Sequence, residues 1–233
     1  SLMKRINVTL LVLLILFADQ ALKIWVKTSF NLHENRQMLG SGAQLYFVEN
    51  MGMAYGWSFG GNWGKLALTV FRMVAVVFGT WYIGRIIAEK YHKGFIICAA
   101  LIYAGAIGNL LDSMFYGIIF DKGMLLDNAT NGYIYYDGVA KIGGKGYASF
   151  LYGNVVDMLY FPIIKGHYPK WFPFKAGEYF EFFRPIFNIA DASISTGVIS
   201  ILVFQHRFFK KKEVITNSTV ETKALVNDES QIS

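Results

Sequence analysis

Cysteine and proline are scarce in this chain of 233 residues, with one cysteine, Cys98, and four prolines. A single cysteine excludes a disulfide framework and any CxxC metal site formed within one chain. Cys98 lies inside an apolar run, where it reads as a small buried residue. Charge is also sparse: Asp, Glu, Lys and Arg make up 16% of the residues, and no long basic patch points to nucleic acid. The four histidines, His33, His92, His167 and His206, are scattered through different segments and HExxH is absent, which argues against a zinc site. GxSxG is missing too, so no serine elbow is expected. There is no internal repeat. What the chain does have is apolar material, 54% hydrophobic and 17% aromatic residues with a positive mean hydropathy, which is a membrane-protein composition.

Four apolar stretches are long enough to span, at about residues 6–26, 65–87, 95–115 and 186–208. The first has no small-residue cleavage site and is expected to be a retained helix. Ser1 and Leu2 precede a plausible start at Met3. Lys4 and Arg5 precede the first span, Arg85, Lys90 and Lys93 separate the second from the third, and Arg207, Lys210, Lys211 and Lys212 follow the fourth. By the positive-inside rule both termini are cytoplasmic and residues 28–64 and 116–185 form outer loops. The first loop is Gly-rich, and alternation over residues 44–49 predicts a short strand. The second is long, with hairpin signals at Asn131-Gly132 and Asp137-Gly138, and is expected to fold as a small cap. Aromatic runs at residues 159–164 and 171–174 suit the headgroup region, and residues 213–233 read as a disordered cytoplasmic tail.

This topology assigns a depth to each charge inside a span. Asp19 and Lys23 lie late in an outward helix, Arg72 early in an inward one, Asp112 at the end of an outward one and Asp191 at the start of an inward one. All five converge on the outer half of the bilayer. Intramembrane charges are expensive and mark functional sites by default. Asp19 and Lys23, four apart with the acid first, suit a structural ion pair. Helical spacing also places Asn188, Asp191 and Ser195 on one face of the last span. Gly105, Gly108 and Asn109 read as helix-packing residues and not as a phosphate cradle.

In the second outer loop, Gly153-Asn154-Val155-Val156-Asp157 offers another carboxylate, able to fold back beside Asp191. Two carboxylates that share a site cannot both ionise easily. Such a pair can hydrolyse an amide with neither metal nor nucleophile: one takes a proton from water and the other hydrogen-bonds the scissile carbonyl.

Five blocks then resemble, in order, the lipoprotein signal peptidases, also called signal peptidase II. They are Asp19-Gln20-Ala21-Leu22-Lys23, residues 50–56 (Asn50-Met51-Gly52-Met53-Ala54-Tyr55-Gly56), residues 105–112 (Gly105 through Asn109 to Asp112), Val155-Val156-Asp157, and Phe187-Asn188-Ile189-Ala190-Asp191. The chain is expected to be an all-α membrane protein, four transmembrane helices with an extracytoplasmic β-containing layer and an inserted outer loop, forming one peptidase domain over residues 3–212; the resemblance likewise implies four helices. It implies a metal-independent aspartyl endopeptidase of the bacterial inner membrane, facing its outer side and needing no cofactor. The substrates implied are prolipoproteins with a diacylglyceryl cysteine, cut just before that residue; membrane lipid is the expected surroundings and a monomer the expected unit. By the same resemblance Asp157 and Asp191 are the catalytic pair, Asn50, Gly52 and Asn109 line the substrate site, Asp112 and Asn188 support it, and Asp19 and Lys23 are structural.

Two departures from that pattern stand out. The family usually has Arg after the aspartate of the third block, where this chain has Ser113, and Arg72 is the candidate to supply that charge. Residues of about 117–152 are an insertion before the fourth block. The alternative function is a small proton-coupled transporter using the aspartates as a relay, which predicts polar residues through the full depth of the bundle. A third reading, a scaffold with structural acids, predicts that Asp157→Asn and Asp191→Asn are silent.

Overall fold

The computed structural model describes residues 4–40, 42–52, 61–127, 130, 132–162, 164–167, 179–182 and 186–209, with the backbone alone considered for 164–167 and 179–182. Residues 53–56 of the second block, Asn131, the 171–174 aromatics and the tail from 213 lie outside the described residues. Among the described residues four helices are long and apolar enough to cross a membrane: α1 (Arg5–Lys27), α2 (Gly61–Ala88), α3 (Lys93–Ile119) and α4 (Ile189–Phe208). In α1, Val8, Val12, Asp19, Lys23, Val26 and Lys27 are buried while Leu10, Leu13, Leu14 and Phe17 are exposed. Spacings of three, four and seven put the buried set on one face. The helix therefore turns its charges inward and its leucines toward lipid.

The strands are β1 (Asn35–Leu39), β2 (Ala43–Asn50), β3 (Leu125–Asp127), β4 (Gly132–Ile134), β5 (Val155–Tyr160), β6 (Ile164–His167), β7 (Tyr179–Phe182) and β8 (Ile186–Phe187). An antiparallel sheet runs β1-β2-β5-β8, while β3-β4 and β6-β7 are separate two-stranded ladders. The protein is thus helical where it spans and β-structured at one end. The strand expected over 44–49 is β2. The expectation for 159–164 needs correcting: Leu159 and Tyr160 belong to the sheet, in a strand buried along nearly all its length. Of the Asn131-Gly132 signal only Gly132 is described, and it opens β4 opposite Asp127 of β3. Asp137-Gly138 forms a bend with Gly138 at φ 76°, and no hairpin.

The last span begins later than its apolar run. Ile186 and Phe187 pair with Tyr160 and Leu159 of β5, and α4 starts only at Ile189. Asn188 between them has extended backbone and caps the helix, its side chain accepting from the Asp191 N–H. Asn188 is therefore not on a helical face with Asp191. Ser195 is exposed, and the serine that meets α3 is Ser193, whose hydroxyl donates to the Leu101 carbonyl at 2.9 Å. The physical reason is that Ala190, Ser193 and Gly197 are the face α4 buries.

Two apolar clusters fill the molecule. One, at the sheet end, joins Val26, Phe30, Leu45, Phe47, Tyr116, Val156 and Met158 to Phe120 and Ala140 of the 117–152 segment. The other, toward the far end, packs Val8 and Val12 against Ile83, Ile86, Phe95, Ile96, Ala100 and Ala104. Between them α1, α3 and α4 meet at buried polar groups. Cys98 is buried, as its apolar neighbours imply.

Candidate active site

Asp157 arrives on β5 and Asp191 on the first turn of α4, and the sheet joins these elements because β8 pairs with β5 and runs through Asn188 into the helix. Asn188 is fully buried and binds both sides. Its Nδ2 donates to Asp157 Oδ1 at 2.6 Å, and its Oδ1 accepts from the Asp191 N–H at 2.8 Å. Asn109 of α3 completes the bridge, Nδ2 donating to Asp191 Oδ1 at 2.7 Å while Oδ1 accepts from Asn188 Nδ2 at 3.1 Å. On the other side of Asp157, Asn50 at the end of β2 donates to Oδ2 at 3.4 Å and accepts from the Gly52 N–H at 2.8 Å. Gly52 holds φ 90°, a conformation open to glycine. Each carboxylate thus receives an amide donor, and the two belong to one network.

Burial, followed by the charge of Asp191, raises the Asp157 carboxyl to about 8, against smaller lowering effects of Lys23 and of the Asn50 and Asn188 amides. A carboxyl in that range carries a proton at neutral pH and can donate a hydrogen bond.

Behind the network stands a buried ion cluster. Lys23 lies 2.8 Å from Asp19 and 2.8 Å from Asp112, and also donates to Asn109 Oδ1 at 3.1 Å. The sequence suggested an Asp19-Lys23 pair; the structure adds Asp112 as a second partner. Removing one member of a buried pair costs more than the pair contributes net, because a bare charge is left behind. Both acids have further roles. Asp19 Oδ1 accepts from the Ala190 N–H at 2.9 Å, satisfying an orphan donor of the first turn of α4, and Asp112 Oδ2 accepts from the Val156 N–H at 3.2 Å. One acid therefore holds the helix of Asp191 and the other the strand of Asp157. Gly105 and Gly108 permit the close approach: a Cβ on Gly108 would stand 2.8 Å from Asp19 Oδ2 and 3.1 Å from the Ala190 Cβ.

Arg72 of α2 reaches the same place, its Nη1 donating to Ser113 Oγ at 2.8 Å, and Ser113 in turn donates to the Asn109 carbonyl at 3.0 Å. The guanidinium therefore sits beside the position where the resemblance had led us to miss an arginine.

A second polar cluster was not anticipated. Lys27 and Lys65 contact Glu49 and Asn154 respectively, and Asn154 Nδ2 donates to Glu49 Oε2 at 2.7 Å and to the Met124 carbonyl at 2.8 Å. Tyr136 donates to Glu49 Oε1 at 2.7 Å, and the Tyr147 hydroxyl accepts from the Asn154 N–H at 2.7 Å. Burial tends to raise the Glu49 carboxyl, but the Lys27 charge and the donors from Lys27, Asn154 and Tyr136 outweigh it and hold it below the usual range. The available signal was Lys27 itself, four residues after Lys23 on the same face of α1. Among the described residues no group of three His, Cys, Asp or Glu is placed to hold a metal ion.

These features define a class first, a multi-pass membrane protein with a carboxylate site where its helices meet a small sheet. Two solved structures described as bacterial membrane enzymes share the fold. One has a TM-score of 0.54 at 20% identity, covering 90% of this chain and 94% of its own. The other has a TM-score of 0.52 at 18% identity, covering 84% and 90%. The chain belongs to the signal peptidase II family, whose model matches residues 11–207. It is 42% identical over 199 residues to the lipoprotein signal peptidase of Porphyromonas gingivalis, covering 84% of this chain and 81% of that one. To the lipoprotein signal peptidase of Amoebophilus asiaticus it is 34% identical over 194 residues, covering 82% and 74%.

Proposed function

We propose that this protein is a metal-independent aspartyl endopeptidase of the bacterial inner membrane that removes signal peptides from diacylglyceryl-modified prolipoproteins, cutting before the lipid-bearing cysteine. The observation that carries this reading is the Asn188 side chain, which donates to Asp157 on β5 and caps the turn bearing Asp191. Asn188 donates to the Asp157 carboxyl and Asn109 to that of Asp191, and the two amides bond each other, so the pair is held in one network suited to acid–base work.

In the mechanism, Asp191 is the base, fixed by the Asn109 amide, and takes a proton from the attacking water. Asp157, protonated at neutral pH, hydrogen-bonds the scissile carbonyl and stabilises the oxyanion as the tetrahedral intermediate forms. The proton on Asp191 then passes to the leaving amine as the C–N bond breaks. Arg72 orients the substrate with a charged donor, in place of an arginine at position 113. Asn50, Gly52 and Asn109 line the substrate site, and Asp112, Asn188, Asp19 and Lys23 keep its elements in place. The membrane peptidase domain covers residues 3–212, with both termini cytoplasmic and the site toward the outer face, where a lipid-modified peptide arrives laterally. The second apolar cluster argues against a proton path, since a relay needs polar groups across the depth that Val8, Val12, Ile96 and Ala100 occupy.

The test is cleavage of a diacylglyceryl-modified prolipoprotein peptide by purified protein in lipid with chelator present. Processing by the parent, abolished in Asp157→Asn and Asp191→Asn while both stay folded, is expected. Undiminished cleavage by either variant would sink the assignment.

A further inference from the structure

A groove of about 470 Å³ runs between α1 and α2 at the end of the bundle away from the sheet, floored by Tyr103 and Ile107 of α3. It is distinct from the carboxylate site. Its walls are apolar side chains such as Val12 and Leu16 of α1 and Ile83 of α2, and Arg5 stands at its mouth. We infer that this groove is a binding site for one acyl chain of a phospholipid whose anionic headgroup pairs with Arg5.

Three observations carry the inference. First, the groove has an opening built into the sequence: Gly84 lines it, and a Cβ there would meet no atom within 4 Å. Any larger residue would occupy space that the protein leaves open, whereas at Gly79, one turn and a residue earlier, a Cβ would stand 2.8 Å from the Tyr103 ring. The same helix is closed against α3 at one glycine and open at the other. Second, the few polar side chains of the walls are already satisfied. Thr80 and Tyr103 hydrogen-bond each other at 2.6 Å, and the Thr9 hydroxyl donates to the Arg5 carbonyl at 3.1 Å. The groove therefore offers hydrocarbon contact along its length, with charge at one end. Third, that charge is available. Glu89, at the same end, is engaged by Arg85 at 2.7 Å, and Arg5 has no carboxylate within 4 Å among the described residues. A basic group at the rim of a gap between spanning helices, on the side rich in Lys and Arg, is suited to an anionic lipid headgroup. A second membrane peptide would be a poorer occupant, because basic residues flanking such segments on that side would face Arg5.

The lipid also has a structural consequence. α2 rests chiefly on α3, and the groove is the side on which it faces α1. A chain lying there gives α2, the helix that carries Arg72, a second packing surface.

The test uses the full chain purified in detergent and titrated with phosphatidylglycerol or phosphatidylethanolamine of identical acyl chains, with bound lipid counted by native mass spectrometry. The parent should retain phosphatidylglycerol about fivefold better than phosphatidylethanolamine, the attraction expected of one cation near an anionic surface. Arg5→Gln, at an exposed position, should lose this preference while still binding both lipids weakly. Gly84→Phe should lose retention of both. Cleavage by the two variants in excess lipid serves as the check that they are folded. Equal retention of the two lipids by the parent, unchanged retention by Gly84→Phe, or displacement of the lipid by an apolar signal-peptide segment would each overturn the inference.

Discussion

Asp157 shows how a single side chain can set the pH behaviour of the whole site. Its carboxyl is raised to about 8 by burial and then by Asp191, whereas in the unfolded chain it releases its proton near the ordinary value of about 3.9. Between those values the native state binds more protons than the unfolded state, so this group's stabilisation is full below about pH 4 and lost as pH rises to about 8. Asp157→Asn should remove that slope, which denaturant unfolding from pH 4 to 9 would reveal as a flatter profile. Cleavage by the parent should decline on the alkaline side near pH 8, as the Asp157 carboxyl loses its proton. Unchanged pH slopes in the variant would refute the protonated role of Asp157. Arg72 makes a second prediction. If it supplies a charged hydrogen bond to substrate, Arg72→Leu should lower kcat/KM by about 10- to 100-fold, the value of one such bond, with thermal stability little changed. Adding Ser113→Arg to that variant should restore part of the loss, since the two side chains touch in the parent. Unaltered kinetics in Arg72→Leu would remove Arg72 from the site.

At the scale of elements, helix contacts explain why the acids fall where they do. The approach of α4 to α3 depends on Gly105 and Gly108, with a Cβ on Gly105 falling 2.3 Å from the Ala190 carbonyl oxygen. Gly108→Val should push α4 off α3 and disturb the Asp19 bond to the Ala190 N–H, costing about 1–3 kcal/mol as an overpacked contact. Thermal unfolding of the purified protein reads that cost; a melting point equal to the parent's would mean that α4 is held elsewhere. Gly84→Ala is the control, because its Cβ meets nothing. The spanning helices were legible because long apolar runs have few other physical solutions, and their observed bounds differ from the expected ones by a few residues. The start of α4 was less legible. Ile186 and Phe187 are as apolar as the helix that follows, and only their pairing with β5, a partner distant in sequence, makes them strand. For the same reason Asn188 read as a helical residue and proved to be its cap. Val155-Val156-Asp157 is β-branched enough to suggest a strand, yet nothing local announces its antiparallel alignment, which sets Val48 opposite Asp157 and Asn50 opposite Val155.

Across the whole molecule, the segment over residues 117–152 is the part whose packing its sequence announces least. A loop of that length reads as a cap laid over an existing protein, but Phe120 and Ala140 are part of the sheet-end core. Tyr136 and Tyr147 join the cluster formed by Lys27, Glu49, Asn154 and Lys65, and the Lys27 ammonium lies 5.1 Å from the Phe120 ring centre and 5.2 Å from that of Tyr147. Cation, carboxylate and aromatic faces from α1, β2, the insertion and the approach to β5 thus close around one buried point. Glu49 precedes Asn50 on β2 and Asn154 leads into β5, the strand of Asp157, so Tyr136 and Tyr147 reach the roots of both strands. Its residues carry no motif, because burial of a charge depends on partners that come from five separate segments, Lys65 of α2 included. Glu49→Gln should therefore leave Lys27 buried without its counter-charge and cost about 3–5 kcal/mol, while Glu89→Gln, which breaks the exposed pair with Arg85, should cost no more than about 1 kcal/mol. Chemical unfolding of both variants in the same detergent separates the cases. Equal and small losses would mean that the insertion is an ornament; a large loss confined to Glu49→Gln, accompanied by weaker cleavage although no catalytic group has changed, would mean that it is part of the scaffold holding β2 and β5 in register.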